Sequence, residues 1–180
     1  MMMESLEAGG LEAAYSNERT EWINERSGDA TLPRPYFPND NYYELTPAEY
    51  RSSDFPYIYE GKTVKLLWGG ITVVRPKKQD KEGYRVVFMR RSKAAIEESM
   101  IKAFNYTHDV VASPGFQDHM DRIVEMLRDR KSFVSVDELW YGDVVANPIK
   151  AFTQLKEAGW PIDPEKAAMI PNKKKMRSAA

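Results

Sequence analysis

The stretch YRVVFMRRSKAAIEESM, Tyr84–Met100, decides the fold. Tyr84 to Met89 is a nearly continuous run of aromatic and β-branched residues, which suits a strand covered on both faces. Arg90 and Arg91 end the run, Ser92 turns the chain, and a helix from Ser92 to Tyr106 carries Ile96, Met100 and Phe104 at four-residue steps along one stripe. A covered strand that runs straight into a helix is the unit from which α/β proteins with parallel sheets are built.

Downstream the alternation continues. Ser113-Pro114 starts a helix whose Phe116, Met120, Ile123 and Leu127 repeat at helical intervals. Glu138 to Val145 reads as a strand, and Asn147-Pro148 gives a cap and first-turn proline to a helix carrying Ile149, Phe152 and Leu155 and stopped at Gly159. Upstream, Lys62 to Trp68 reads as another strand, with Ile71 to Val74 either the end of a short helix or a further extended piece. Thr46-Pro47 offers a helix start before Ala48, Glu49 and Tyr50. The expected class is therefore α/β, with a largely parallel sheet flanked by helices.

The opening MMMESLEAGG places Met2, Met3, Leu6 and Ala8 near helical spacing and stops at Gly9-Gly10. No Ser, Thr, Asp or Asn precedes this helix, and the α-amino group sits at the positive end of its dipole. Leu11 to Trp22 has room for a short helix. Ser27 to Asn41 is rich in Gly, Pro, Asn and Asp and reads as a surface loop. Its rings, Tyr36 and Phe37 with the nearby Tyr42 and Tyr43, either anchor it to the core or line a pocket.

With 180 residues, 42% hydrophobic and 29% charged, the composition fits one globular domain. A net charge of -1 gives no long-range attraction to nucleic acid or membrane. Positive charge gathers only at Lys173-Lys174-Lys175-Met176-Arg177, too short a run for a nucleic-acid face. With no cysteine, disulfides and thiolate metal sites are excluded, and His108 and His119 are too few for an imidazole metal centre. No apolar run has the length of a membrane span, and no signal-like segment opens the chain, so the expected location is cytoplasmic.

Chemistry concentrates where the Tyr84 strand ends, because ligands of open α/β sheets gather at the carboxyl ends of strands. An arginine there presents a planar fork of donors suited to phosphate, and a serine two turns into the next helix can add a hydroxyl. Arg91 and Ser99 form such a pair, with Arg90 beside them. Strand-end arginines also commonly pair with surface carboxylates, so the spacing leaves both roles open.

Arg91 through Ser99 resembles the 3'-phosphate-binding motif of sulfotransferases that use 3'-phosphoadenosine 5'-phosphosulfate (PAPS), in which a strand-end Arg is followed eight residues later by Ser. YRVVFMRR is close to a bacterial-type branch of that superfamily. MMMESLEAGG resembles the helix after the family's phosphate loop, NDNYYEL its Asn-Pro-Gly-Tyr-Tyr-Glu segment, and GKTVKLL the strand before the 3'-phosphate motif. ELWYGDVVANPIKAFTQL resembles the late strand and helix that commonly read Tyr-Glu-Asp-Leu-Leu, a spacer, then Asp-Pro. Order and rough spacing agree from residue 1 to about residue 160. The resemblance implies a single domain over 1–180 with a three-layer, P-loop NTPase-like α/β fold, an aromatic loop insertion at about 27–46 and a basic tail at about 171–180. It further implies PAPS as co-substrate without a metal, Arg91, Ser99 and Arg90 as cofactor-binding residues, and a small-molecule or carbohydrate acceptor.

The departures carry equal weight. The family's Pro-Arg-Ser-Gly-Thr loop, whose amides hold the 5'-phosphosulfate at a helix N-terminus, is expected before the first helix, and this chain begins where it ends. A sheet lacking that first strand would expose unpaired backbone and invite a partner, a second copy included. Ser92 stands where an acidic residue usually follows the Arg, and Glu97 and Glu98 add negative charge near Ser99. Sulfuryl transfer is an in-line displacement that relies on positioning, cationic stabilisation and a base for the acceptor's proton. The resemblance puts Lys65 near the bridging oxygen, against a plain strand-end role. Leu67 occupies the position of the family's histidine base, so no clear base is visible; His108 and His119 read as surface or helix-packing residues rather than a base, and Glu44 is a further candidate. The basic tail either folds onto the 3'-phosphate or is a solvated end. Two functions follow: a PAPS-dependent sulfotransferase, or a truncated or degenerate sulfotransferase-fold protein that binds a ligand or partner without catalysis.

Overall fold

A computed structural model describes residues 1–16, 45–55, 57–66, 68–74, 83–104 and 109–171. The chain divides into two compact units, one formed by Met1–Leu11 with Arg75–Ala180 and the other by Glu12–Val74. The architecture is mixed α/β, with helices in both units and, among the described residues, a two-stranded parallel sheet in the first.

In the first unit, the Tyr84 run forms strand β1, Tyr84–Arg90, and its partner β2 is Phe133–Trp140. The two are parallel, pairing Phe88 with Glu138, Met89 with Leu139 and Arg90 with Trp140. A parallel pair needs a long crossover, which three helices supply: Lys93–Phe104, Asp109–Ala112 and Phe116–Arg128. The last of these buries the expected stripe Phe116, Met120, Ile123 and Leu127 together with Val124.

The reading of Glu138 to Val145 as one strand needs correction. Strand β2 begins earlier, at Phe133, and ends at Trp140, where Tyr141–Ala146 turns at once into a helix. Val144 and Val145 are β-branched, but both are buried on that helix, so burial overrides local preference.

The next helix, Pro148–Glu157, starts as the sequence indicates. Asn147 accepts a hydrogen bond from the Lys150 amide at 3.3 Å, and Pro148 fills the first turn. At its end Gly159 adopts φ 90°, and the amides of Gly159 and Trp160 donate to Lys156 and Leu155 at 2.9 and 3.0 Å. This is a Schellman closure, which requires a left-handed residue that glycine adopts without strain. Helix Met2–Ala8 ends the same way, with Gly10 at φ 102° and bonds from Gly10 to Glu7 and from Leu11 to Leu6. At its other end no side chain caps the helix, and the terminal ammonium pairs with Glu4 at 2.5 Å, which places an acid beside the positive end of the dipole.

The core of this unit joins Leu6, Leu139, Val144, Ala151, Phe152, Leu155, Trp160, Ile162 and Ala167. Ala167 belongs to a helix the sequence reading did not anticipate, Pro164–Ala168, whose cap is Asp163. The Asp163 carboxylate accepts from the amides of Glu165 and Lys166 at 3.1 and 3.2 Å. Hydrogen bonding from the Lys166 backbone, offset in part by desolvation, holds its pKa below the ordinary carboxylate value. A carboxyl whose pKa is lower folded than unfolded stabilises the fold above its unfolded pKa, near 4, and that contribution fades as pH falls through the folded value. Asp163→Asn keeps an acceptor at the cap but cannot titrate. Thermal melts over falling pH are expected to show a shallower acid-side decline for this variant than for the parent; coincident declines would exclude the role.

In the second unit, a capping box opens Pro47–Arg51: the Glu49 amide donates to Thr46 Oγ1 at 3.3 Å and the Thr46 amide to Glu49 Oε2 at 2.6 Å. The described residues of Lys62 to Trp68 do not form the expected strand. Thr63 makes one isolated parallel bridge to Ala13, Leu45 donates its amide to the Lys65 carbonyl at 3.1 Å, and Trp68–Val73 is already helical. Gly70 lets that helix approach the Tyr50 ring, which a Cβ there would meet at 3.2 Å. The aromatic loop, Glu44, Leu67, His108 and the basic tail lie outside the described residues. Among the described residues no helix is long and apolar enough to cross a membrane.

Candidate functional site

Helices are now numbered in chain order: α1 Met2–Ala8, α2 Pro47–Arg51, α3 Trp68–Val73, α4 Lys93–Phe104, α5 Asp109–Ala112, α6 Phe116–Arg128, α7 Tyr141–Ala146, α8 Pro148–Glu157 and α9 Pro164–Ala168. The expected phosphate residues lie where β1 passes into α4. Arg90 is the last residue of β1, Arg91 follows it, and Ser99 is in the second turn of α4. Ser92, at the place of the family's acid, caps α4 by accepting the Ala95 amide at 3.2 Å. Lys93 fixes the same corner from its other side. Its ammonium donates to the carbonyls of Ala112 and Ser113 at 2.8 and 3.1 Å and pairs with Glu97 at 3.7 Å. Glu97 thus has a cationic neighbour one turn back, which offsets its charge beside Ser99.

The two arginines have different surroundings. Arg90 is buried, at 7% exposure, and its guanidinium faces carboxylates. Nε and Nη2 donate to Glu138 Oε2 at 2.6 and 2.5 Å, while Nη1 lies 2.7 Å from Asp121 Oδ1. The other Glu138 oxygen accepts from Arg128 at 2.7 Å, and the Phe88 ring lies 5.3 Å beneath the Arg90 guanidinium. Two arginines against two carboxylates make a neutral cluster that ties β1, β2 and α6 together. Arg91 is half-buried, with its guanidinium carbon 4.9 Å from the centre of the Tyr141 ring and its carbonyl accepting from Gln117 Nε2 at 3.3 Å.

Lys65 is exposed and belongs to the unit Glu12–Val74, whereas Arg90, Arg91 and Ser99 share the other. His119 is half-buried on α6. The carboxylates around Arg90 and the ring under Arg91 were missed from sequence. Tyr141 sits in ELWYGD, which reads as continuous strand, and the pairing of Glu138 with Arg90 depends on strand register that no local pattern reveals. An open groove of about 430 Å³ is lined by Asn147, Ile149, Lys150, Thr153, Gln154 and Glu157, and none of the expected site residues borders it.

At this corner the Arg91 guanidinium adjoins the start of α4, which Ser92 caps, and Ser99 lies in the second turn of the same helix; guanidinium and hydroxyl groups are donors suited to phosphate oxygens. Comparison of the chain with protein-family models, with curated proteins and with solved structures finds no match.

Proposed function

We propose that this chain is a sulfotransferase-like protein with a P-loop NTPase-like fold, binding the 3'-phosphate of PAPS at the carboxyl end of β1. One observation carries the reading: a parallel strand delivers Arg91 directly into a helix that bears Ser99. Arg91 supplies the charged fork and Ser99 a hydroxyl. Arg90, engaged with Glu138 and Asp121, stays behind the site and secures the strand beneath it.

In the reaction, an acceptor oxygen or nitrogen attacks the sulfur in line. The bond from sulfur to the phosphate oxygen breaks, 3',5'-adenosine bisphosphate leaves, and the acceptor's proton passes to a base. The acceptor class is a small-molecule or carbohydrate hydroxyl or amine.

Calorimetric titration with 3',5'-adenosine bisphosphate tests the binding half of this reading. The parent chain is expected to bind, and Arg91→Ala to weaken binding roughly ten- to a hundredfold, the range for a lost charged hydrogen bond of about 1.5 to 3 kcal/mol. A parent chain that does not bind the bisphosphate refutes the site. Binding without transfer of labelled sulfate to any hydroxyl or amine acceptor favours the non-catalytic alternative.

A further inference from the structure

The strand register puts Arg91 and Tyr141 side by side. Arg90 pairs with Trp140 as the last step of the parallel ladder, so the next residue on each strand lies one step beyond it. Both backbones are fixed there. Gln117 holds the Arg91 carbonyl at 3.3 Å, and Tyr141 begins α7, which is anchored by buried Val144 and Val145. Between them the guanidinium lies 4.9 Å from the ring centre.

We propose that Tyr141 is a positioning residue for Arg91, holding its guanidinium over the ring at the carboxyl end of β1 so that an incoming phosphate meets an ordered cation. Attraction between a guanidinium and an aromatic ring consumes no hydrogen-bond donor. It does restrict side-chain rotation, part of the freedom an arginine must give up when a ligand binds. The ring supplies the effect, and the phenolic hydroxyl is dispensable. The use of this ordering for phosphate rests on the proposed 3'-phosphate site; the ordering itself does not.

The test compares the full chain with Tyr141→Phe, Tyr141→Leu and, should the leucine variant not fold, Tyr141→Met. NMR relaxation of the Arg91 Nε–H group without ligand reads the ordering, and titration with 3',5'-adenosine bisphosphate reads its use. Parent and Tyr141→Phe are expected to share an ordered Arg91 and to agree in affinity within about twofold. The aliphatic variants are expected to show an Arg91 more mobile than in the parent and an affinity about three- to tenfold lower. An Arg91 equally ordered in the aliphatic variants overturns the proposal. Mobility without a change in affinity overturns its functional half. If the parent binds no bisphosphate while Arg91 still loses order with the ring, the phosphate reading fails and the positioning contact stands.

Discussion

Replacing Arg90 with alanine is expected to cost about 3 kcal/mol of folding stability, at the lower end of the range for breaking a buried ion pair. The cost arises from what stays behind. Glu138, whose side chain is 24% exposed, loses the donors Nε and Nη2 and keeps one from Arg128 at 2.7 Å. That remaining contact holds the penalty below the top of the range. Asp121 is 59% exposed and regains water when Arg90 goes, so Asp121→Asn is expected to cost less than about 1 kcal/mol. Arg90→Lys does not restore the parent, because one ammonium cannot present Nε and both Nη donors to two carboxylates. Urea denaturation checks all three variants. A midpoint for Arg90→Ala equal to that of the parent contradicts the role given to the cluster.

Phe152→Ala is expected to cost about 3 to 5 kcal/mol, the range for truncating a fully buried phenylalanine. Phe152 has no exposed surface and lies in the cluster formed by Leu6, Leu139, Val144, Leu155, Trp160, Ile162 and Ala167. Those neighbours come from α1, β2, α7, α8, α9 and the segment between the last two helices. Collapse around the cavity would require several of these elements to move together, so the cavity is retained. Against a typical domain stability of about 5 to 15 kcal/mol, the loss removes a large share. Phe152→Leu, which leaves a smaller void, is expected to fall between parent and alanine variant. The same denaturation measurement reads both, and a Phe152→Ala midpoint within error of the parent rules out this packing.

The parts legible in the sequence were those whose signal is local. The covered run Tyr84–Met89, the α6 stripe and the Asn147-Pro148 to Gly159 frame of α8 each carry their period and their caps within a few residues. The start of β2, before Glu138, was obscured by Ser135 and Asp137, polar residues in what became a half-buried strand. The strand's cross-fold partners are distant: Arg85 donates to Ser135 at 3.4 Å, the Trp160 indole donates to Asp137 at 2.7 Å, and Arg90 meets Glu138, while the Ser135 hydroxyl donates to Asp137 at 2.8 Å within the strand. A strand whose polar groups are satisfied from elsewhere in the fold looks too polar when read alone. The reverse error occurred at Val144-Val145, apolar and β-branched yet helical, and at Lys62–Trp68, where strand-like composition yields isolated bridges at Thr63 and Lys65 among the described residues.

The candidate site divides along the same line. Arg91 and Ser99 could be named because their spacing lies within one strand-turn-helix passage. That Arg90 turns toward carboxylates while Arg91 lies over Tyr141 depends on which residues β2 brings alongside, and the pairing appears only in three dimensions.

The account stands or falls on recognition of a 3'-phosphate at the end of β1. The most direct measurement is the affinity of the parent chain for 3',5'-adenosine bisphosphate relative to 5'-AMP, which lacks only that phosphate. The account predicts tighter binding of the bisphosphate by at least about tenfold, with the preference abolished in Arg91→Ala. Equal affinity for the two nucleotides, or a preference that survives Arg91→Ala, would contradict it.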